Sequence, residues 1–522
     1  MDSDVRPRFV PSPCDIHPHT IPPLISVSQD EVWLPIVSCP ADFSLDLFEC
    51  AVEQLIHHPE YNSTLILRSE TISQTFYSHD TDDSDIPSDL KSHRPTYSIQ
   101  RKLLPRRPGR DAAIEQRCTL YAPIAGTHVG IPCMLVLSPL LPPGASLPYY
   151  HPTVRHLAFR FVPCTPPILR IEAVVLPDMP LDLNSRLYRT ALALLETLHR
   201  YGWGTRTHYQ KRVRHDCLIP KEAYQDLYLV MRERHKHFVS EWKESTDPLK
   251  HVFEDIGIAT YLMLLWKQSF EQRSGDDNHT RVPDAPWKHW PRPPGGFLDL
   301  GCGNGLLTHI LISEGYHGHG IDLRARTSWD HYPEPTRAAL HVHAFDPTQY
   351  ARGVTEGRHS VIPYLQSGAF LVGNHADELT PWLPLIATVE HASGYLSIPC
   401  CAWSFDERFA RGSGTTFADS DSAAISDHDA FVDRLNLGGE GGRQSQYSMY
   451  RIWLAKLSQW TGWKVECDTL RIPSTRNWAI IGRERLVEDN QVYTERALDI
   501  VQNVVKRGTF KTRIPEGKAG HH

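Results

Sequence analysis

Two hydrophobic periods run along this chain, and the switch between them divides it. Short apolar runs at Val32-Trp-Leu-Pro-Ile-Val37 and Ser63-Thr-Leu-Ile-Leu-Arg68 predict strands, and Leu45 to Ile56 between them has helical spacing. Further strands are predicted around Thr119–Tyr121, Cys133–Leu137, Leu157–Val162 and Leu169–Val175. A helix over Leu183–Tyr201 follows, closed by Gly202. Residues 31–202 therefore read as an α+β region. Residues 203–281 read as a helical connecting region, with apolar residues three and four apart over Tyr224–Trp242 and Val252–Phe270. A Pro- and Trp-rich linker, Val282 to Pro294, ends it. Strand and helix patterns then alternate over 290–485, which predicts an α/β domain. Residues 1–30, rich in Pro, His and Ser, read as a disordered arm, 406–430 as a disordered insertion, and 486–522 as a polar, basic tail.

Composition sharpens this picture. At 522 residues the chain exceeds one ordinary core, and 41% apolar residues are enough for two or three. The net charge of −7 excludes a uniformly basic coat, yet the charge is clustered. Asp80, Asp82, Asp83, Asp85 and Asp89 form an acidic loop, and the stretch after it reverses sign. Arg101, Lys102, Arg106, Arg107 and Arg110 fall within ten residues, and Lys211, Arg212 and Arg214 form a second group with Arg206. Clustered arginines pair with phosphates and release their counterions, which makes both groups candidate RNA-binding segments. The N-terminus lacks a secretory pattern, and the longest apolar run, Ile258 to Trp266, is about half a membrane span. Eleven cysteines without a C-x-x-C pair fit a reduced interior, so a soluble protein of the cytosol or nucleus with no membrane partner is expected. The adjacent Cys400 and Cys401 lack a second pair at zinc spacing; they read as buried structural thiols, and no metal is expected.

The strongest local signal begins at Phe297-Leu-Asp-Leu300, a short apolar strand holding an acid, followed at once by Gly301-Cys-Gly303-Asn304-Gly305. Leu306 to Glu314 has helical spacing, and a second strand ends at Gly318-His-Gly-Ile-Asp322-Leu-Arg324. Strand, glycine turn, helix, strand and terminal acid within about 26 residues is the first crossover of a doubly wound sheet. Glycines let backbone approach a ligand, and a helix N-terminus offers unpaired N–H groups. Asp322 can accept from both ribose hydroxyls, and Asp299 can orient the loop and a cationic methionine portion. Dinucleotide sites use G-x-G-x-x-G to make room for a pyrophosphate. The tighter G-x-G-x-G suits S-adenosylmethionine, which has no phosphate. The candidate cofactor residues are Asp299, Gly301, Gly303, Asn304, Gly305, Asp322 and Arg324. The fold expected is α/β, a Rossmann-like class I S-adenosylmethionine methyltransferase domain preceded by an α+β domain and a helical segment.

Phe370-Leu-Val-Gly-Asn374-His375-Ala-Asp377-Glu378 reads as another buried strand running into polar residues. Ligands of open α/β sheets sit at the carboxyl ends of strands, so Asn374, His375, Asp377 and Glu378 are the candidate catalytic residues. The competing reading makes Asn374 or Asp377 a helix N-cap. His309, His317 and His319 read as packing or surface residues.

These segments, with Gly320-Ile-Asp-Leu-Arg-Ala-Arg-Thr-Ser-Trp-Asp330, Gly373-Asn-His-Ala-Asp-Glu-Leu-Thr-Pro-Trp382, Ile398-Pro-Cys-Cys401, Ser445-Gln-Tyr447 and Arg471-Ile-Pro-Ser-Thr475, resemble the tRNA (uracil-2'-O-)-methyltransferases. So do Arg101 to Arg107, Lys211 to Asp216 and Val252-Phe-Glu-Asp-Ile-Gly-Ile-Ala259. The match runs in order from about residue 95 to 485. It implies methylation of the ribose 2'-oxygen of uridine 44 in serine tRNA of the eukaryotic cytoplasm, and so a cytoplasmic protein. Some relatives end in a Cys/His zinc finger; the stretch Lys511–His522 has no Cys. The base that takes the hydroxyl proton, His375 or Asp377 first, is inferred from position. The alternatives are a methyltransferase for another RNA, a small molecule or a protein, and a non-catalytic tRNA-binding protein. A partner protein is neither implied nor excluded.

Overall fold

The computed structural model describes residues 6–14, 21–28, 30–77, 90–142, 144–209, 213–271, 285–357, 361–410, 428–437, 445–487 and 491–511. They fall into two compact units, 1–210 and 211–522.

Among the described residues, the first unit is one antiparallel sheet with two α-helices. Its strands are β1 (Ser12–Pro13), β2 (Leu34–Pro40), β3 (Ile66–Phe76), β4 (His93–Pro105), β5 (Ile114–Pro123), β6 (Met134–Leu140), β7 (Val154–Val162) and β8 (Ile168–Val175), in the order β1-β2-β8-β7-β6-β5-β4-β3. The helices are α1 (Phe48–His57) and α2 (Arg186–Arg206). Ser185 caps α2 by accepting from the Tyr188 N–H at 3.1 Å. Leu187, Ala191, Leu195 and Leu198 of α2 lie on one side of the helix and share a core with Val37, Phe159 and Ile171 of the sheet. The segment read as a disordered arm contributes β1, paired with β2, and the buried Leu24, whose N–H donates to Glu172 Oε2 at 2.8 Å. The acidic loop over residues 80–89 lies outside the described residues.

The second unit opens with α3 (Lys221–His235) and α4 (Pro248–Phe270). It continues through β9 (Phe297–Leu300), α5 (Leu306–Ser313), β10 (Gly318–Asp322), α6 (Glu334–Arg337), β11 (Leu340–Val342), α7 (Pro347–Thr355), β12 (Phe370–Asn374), α8 (Trp382–Val389) and β13 (Gly394–Ile398). After a small hairpin of β14 (Trp403–Ser404) and β15 (Glu407–Arg408) come α9 (His428–Arg434), α10 (Gln446–Trp460), β16 (Trp463–Thr469), β17 (Trp478–Arg485) and α11 (Gln491–Arg507). Seven strands form a sheet in the order β11-β10-β9-β12-β13-β17-β16. Six of them run in one direction; β17, between β13 and β16, runs antiparallel to both neighbours, and the order reverses between β9 and β12.

Every residue of α4 from Glu254 to Trp266 is buried, so the middle of this helix is enclosed on all sides. Met263, Leu265 and Trp266 share a core with Phe297 of β9, Leu307 and Ile310 of α5 and Phe370 of β12. The stretch read as a connecting region thus supplies part of this unit's interior. The stretch read as a polar tail contains α11, whose Ala497, Val501 and Val504 are buried at helical spacing. Of the predicted insertion, residues 411–427 lie outside the described residues, as do 512–522 of the tail. Among the described residues, no helix is long and apolar enough to cross a membrane.

Candidate active site

The glycine turn, β12 and α4 meet at a cavity of about 550 Å³ in the second unit. The turn lies between β9 and α5, at the carboxyl end of β9. Gly301, Gly303 and Gly305 have φ of 76°, 56° and 78°, values that favour glycine. Gly303 lines the cavity, and a Cβ built on it would meet nothing within 4 Å. Gly305 opens α5 just behind the cavity wall; a Cβ there would come within 2.9 Å of Leu340 Cδ1. The Asn304 side chain accepts from the Leu306 N–H at 2.8 Å and fixes the first turn of the helix.

Two acids brace this turn. Asp322, at the end of β10, accepts from the Gly303 N–H at 2.9 Å through Oδ2 and from the Arg324 N–H at 3.3 Å through Oδ1. Arg326 lies 4.0 Å from Asp322 and lines the cavity, whereas Arg324 is not among its lining residues. Asp299 is buried. Its Oδ2 accepts from Thr308 Oγ1 at 3.0 Å, and its Oδ1 is buried with no partner. Burial, with Asp322 nearby and against the Thr308 hydrogen bond, pushes its carboxyl up to about 7.

All four candidate catalytic residues line the same cavity. Neither Asn374 nor Asp377 is an N-cap: the short 3₁₀ turn Asp377–Leu379 follows Ala376 and has no side-chain cap. His375 and Asp377 instead have φ of 53° and 45°, uncommon for residues with a Cβ. Two acids that the motif reading did not single out come from α4. Glu254 Oε1 lies 3.1 Å from His375 Nε2, and the Asn374 amide donates to Asp255 Oδ1 at 3.2 Å. Burial raises the Glu254 carboxyl, but the His375 hydrogen bond, Lys250 and His251 outweigh it and hold the group below its ordinary value. Asp255 is driven well above the ordinary range by burial, then by Glu254 and Asp299.

Cys400 and Cys401 are half-buried rather than sealed in the core. The Cys400 thiol donates to Asp377 Oδ1 at 3.1 Å, and burial together with that carboxylate raises both thiols. Among the described residues, Asp377, Cys400 and Cys401 are the one group with metal-ligand geometry, three donors within 4.8 Å. On another wall stand Ser474, Thr475 and Arg476, with the Arg476 guanidinium 3.9 Å over the Tyr447 ring. His309 lies against the back of the turn, bonded to Thr336 Oγ1 at 2.8 Å and stacked on Tyr332, which is a packing role.

Two family models match. "TRM44-like, N-terminal bet v1-like domain" covers residues 12–212, and "Predicted AdoMet-dependent methyltransferase" covers 218–279 and 287–347. Among curated proteins, the tRNA (uracil-O(2)-)-methyltransferase of Schizosaccharomyces pombe is 32% identical over 90% of this chain and 89% of its own length. Those of Neurospora crassa (31%, 92% and 92%) and Candida glabrata (30%, 87% and 89%) are similar to it over comparable spans. The chain belongs to the tRNA (uracil-O(2)-)-methyltransferase family.

As a member of that family it is an S-adenosylmethionine-dependent methyltransferase, with a bet v1-like N-terminal domain. No solved structure matches the chain. The residues present fit the methyl donor. Gly303 leaves open backbone at the cavity, and Asp299 Oδ1 is a buried acceptor without a donor. Asp255, Asp299 and Asp322 together make a wall suited to a sulfonium and an ammonium group.

The predicted RNA-binding residues of the first unit separate into two kinds. Lys102, Arg106, Arg107 and Arg110 are exposed at the end of β4 and in the turn after it. Arg101 is buried. Its guanidinium donates to Gln116 Oε1, to the Leu55 carbonyl at 2.9 Å and to the Ile56 carbonyl. It is therefore turned away from solvent, because strand alternation puts it on the same face as Leu103. In the second unit Arg214 is exposed and donates to the Asp433 carbonyl at 2.8 Å, while Lys211 and Arg212 lie outside the described residues.

Proposed function

We propose that this chain methylates the ribose 2'-oxygen of a uridine in tRNA, at position 44 of serine tRNA, in the cytoplasm. The observation that carries the reading is the convergence of Gly303, Asp299, Asp322, His375 and Asp377 on one cavity, in a chain similar over most of its length to the tRNA (uracil-O(2)-)-methyltransferases. The parallel strand order, with its reversal between β9 and β12, supports a Rossmann-like class I fold for 290–485, with the ligand at the switch point.

In this reading Gly301, Gly303, Asn304 and Gly305 form the floor of the cofactor site. Asp322 receives ribose hydroxyls, and Asp299 faces the cationic end. S-adenosylmethionine, when bound, supplies an electrophilic methyl group. The protein contributes mainly position: a 2'-oxygen held in line needs little further help beyond removal of its proton. His375 is the first candidate for that proton and Asp377 the second, with Asn374 and Glu378 shaping the approach. Residues 31–202 act as the RNA-binding region, where Lys102, Arg106, Arg107 and Arg110 grip phosphates. Arg214 does so from the second unit.

The test is transfer of labelled methyl groups from S-adenosylmethionine to unmodified serine tRNA, with the product mapped to a nucleotide and Asp322→Ala run alongside. Label on the 2'-oxygen of uridine 44 that is lost in the variant supports substrate and cofactor site together. Cofactor binding without label on any serine tRNA discards this substrate.

A further inference from the structure

Helix α4 reaches the active site with two consecutive acids, and both engage consecutive residues at the end of β12. Glu254 pairs with His375 and Asp255 with Asn374, across 121 and 119 residues of sequence. We propose that Glu254 is a positioning residue. It holds the His375 ring so that Nδ1 is the atom that receives the proton of the ribose hydroxyl. This rests on the methyltransferase reading above and identifies the base within it.

The argument starts from the hydrogen bond. Glu254 is buried, and its neighbours keep it ionised, so its oxygens accept and do not donate. A bond to His375 Nε2 at 3.1 Å therefore requires the proton on Nε2. That fixes the tautomer and leaves Nδ1 with a free lone pair. Nδ1 is buried and has no hydrogen-bond partner, while its residue lines the cavity. A buried polar atom without a partner is costly, and here a substrate hydroxyl would satisfy it. The backbone is consistent with a fixed ring. The φ of 53° at His375 is a strained value for a residue with a Cβ, and it is held by the bond from the His375 N–H to the Ile398 carbonyl at 3.2 Å.

Asp377 is the competing base, but its Oδ1 already accepts the Cys400 thiol. Asp255, its carboxyl raised by burial and then by Glu254 and Asp299, anchors Asn374 rather than His375. The charged and titratable groups that share the cavity with His375 are Glu254, Asp255, Lys250 and His251 from α4, Asp377 and Glu378 from its own loop, Cys400 after β13, and, elsewhere on the lining, Asp299, Asp322, Arg326, His343 and Arg476.

In the step itself the 2'-oxygen gains the methyl carbon and gives its proton to Nδ1. The positive charge that leaves the sulfur, which becomes a neutral thioether, reappears on the imidazole. The Glu254 carboxylate lies against that new charge and stabilises it. Removing the carboxylate should thus act on turnover more than on substrate binding.

The experiment compares wild type, Glu254→Gln, Glu254→Asp and His375→Ala as full-length chains. Two readouts are taken: steady-state kinetics on serine tRNA, and ¹⁵N spectra of the imidazoles in ligand-free protein, with the His375 signals identified by their loss in His375→Ala. Glutamine can turn its amide and donate, so Glu254→Gln is expected to release the Nε2–H tautomer. Its kcat should fall about 10- to 100-fold, with KM for tRNA and affinity for S-adenosylmethionine within about twofold. Glu254→Asp should recover part of the loss.

Unchanged ¹⁵N tautomer signals in Glu254→Gln would overturn the positioning role, as would kcat within about threefold of wild type. A fall in melting temperature with kcat preserved in the folded fraction would show a purely structural tie and overturn it too. The tautomer readout needs no tRNA, so a wild-type chain inert on serine tRNA would sink the substrate reading while Glu254's hold on His375 is still decided by the spectra.

Discussion

Thr308 Oγ1 donates to Asp299 Oδ2 at 3.0 Å, and this single bond leaves Asp299 Oδ1 buried with nothing to accept. The carboxyl is also pushed up to about 7 by burial, so at neutral pH it is divided between its two protonation states. A cationic ligand selects the ionised one. Affinity for S-adenosylmethionine is therefore expected to strengthen as pH rises from about 6 to 8, by several-fold, with proton release on binding. Calorimetry in two buffers of different ionisation heat measures both. Asp299→Asn should bind at least tenfold more weakly and lose this pH dependence; an equal slope in the variant would refute the assignment.

Glu314 behaves in the opposite sense. It accepts from Arg234 at 2.8 and 3.0 Å, His235 at 2.7 Å and the Trp287 indole at 2.9 Å. Burial raises it, but these donors prevail and hold it at about 2. A depressed carboxylate contributes stability that is complete above its unfolded value of about 4.5 and is lost as pH falls toward 2. The contribution is about 3 kcal/mol by the usual conversion of a pKa difference. Glu314→Gln should flatten the acid limb of a denaturation curve recorded between pH 5 and 3.

Gly303→Ala separates folding from binding. The Cβ would meet no protein atom within 4 Å, and the φ of 56° costs an alanine roughly 1 kcal/mol. Thermal stability should drop only slightly, whereas the added methyl projects into the cavity proposed for the cofactor and should weaken S-adenosylmethionine at least tenfold. A variant that binds normally would move the cofactor away from this turn.

The two kinds of arginine make different predictions. Arg106, Arg107 and Arg110 changed together to Ala should weaken tRNA binding and lower the slope of log affinity against log salt by about 2, leaving cofactor affinity alone. Arg101→Ala should keep the slope of the folded protein but lower stability by about 2–3 kcal/mol, because two backbone carbonyls and Gln116 lose their donor. Equal salt slopes for the triple variant and wild type would take that segment out of the RNA interface.

How far the sequence could be read follows the range of the interactions. The glycine turn and the elements around it were legible because everything that defines them lies within one strand-helix-strand unit: β9, α5 and β10 fall within a residue or so of the pattern. Arg101 was counted with its charged neighbours, although alternation along β4 already set it beside Leu103 on the inner face. Glu254 and Asp255 were quoted only as part of a motif. A signal was present: two adjacent acids inside the otherwise apolar Val252-Phe-Glu-Asp-Ile-Gly-Ile-Ala259 have to be paired with something when enclosed. What they pair with was not legible, since the partners stand about 120 residues downstream and only the packed sheet brings them together.

That separation sets an order of events during synthesis. When α4 has left the ribosome, its acids have no histidine or asparagine to meet, and the strands that will enclose the helix have not yet been made. Glu254 meets His375 only after β12 has been added beside β9. A shortened chain can therefore carry the exposed arginines of the first unit without a complete cavity, and, with the RNA-binding role proposed for them, would hold RNA while changing nothing on it. On the proposed roles turnover is the last property to be acquired, which would make methyl transfer a stricter report of complete folding than RNA binding.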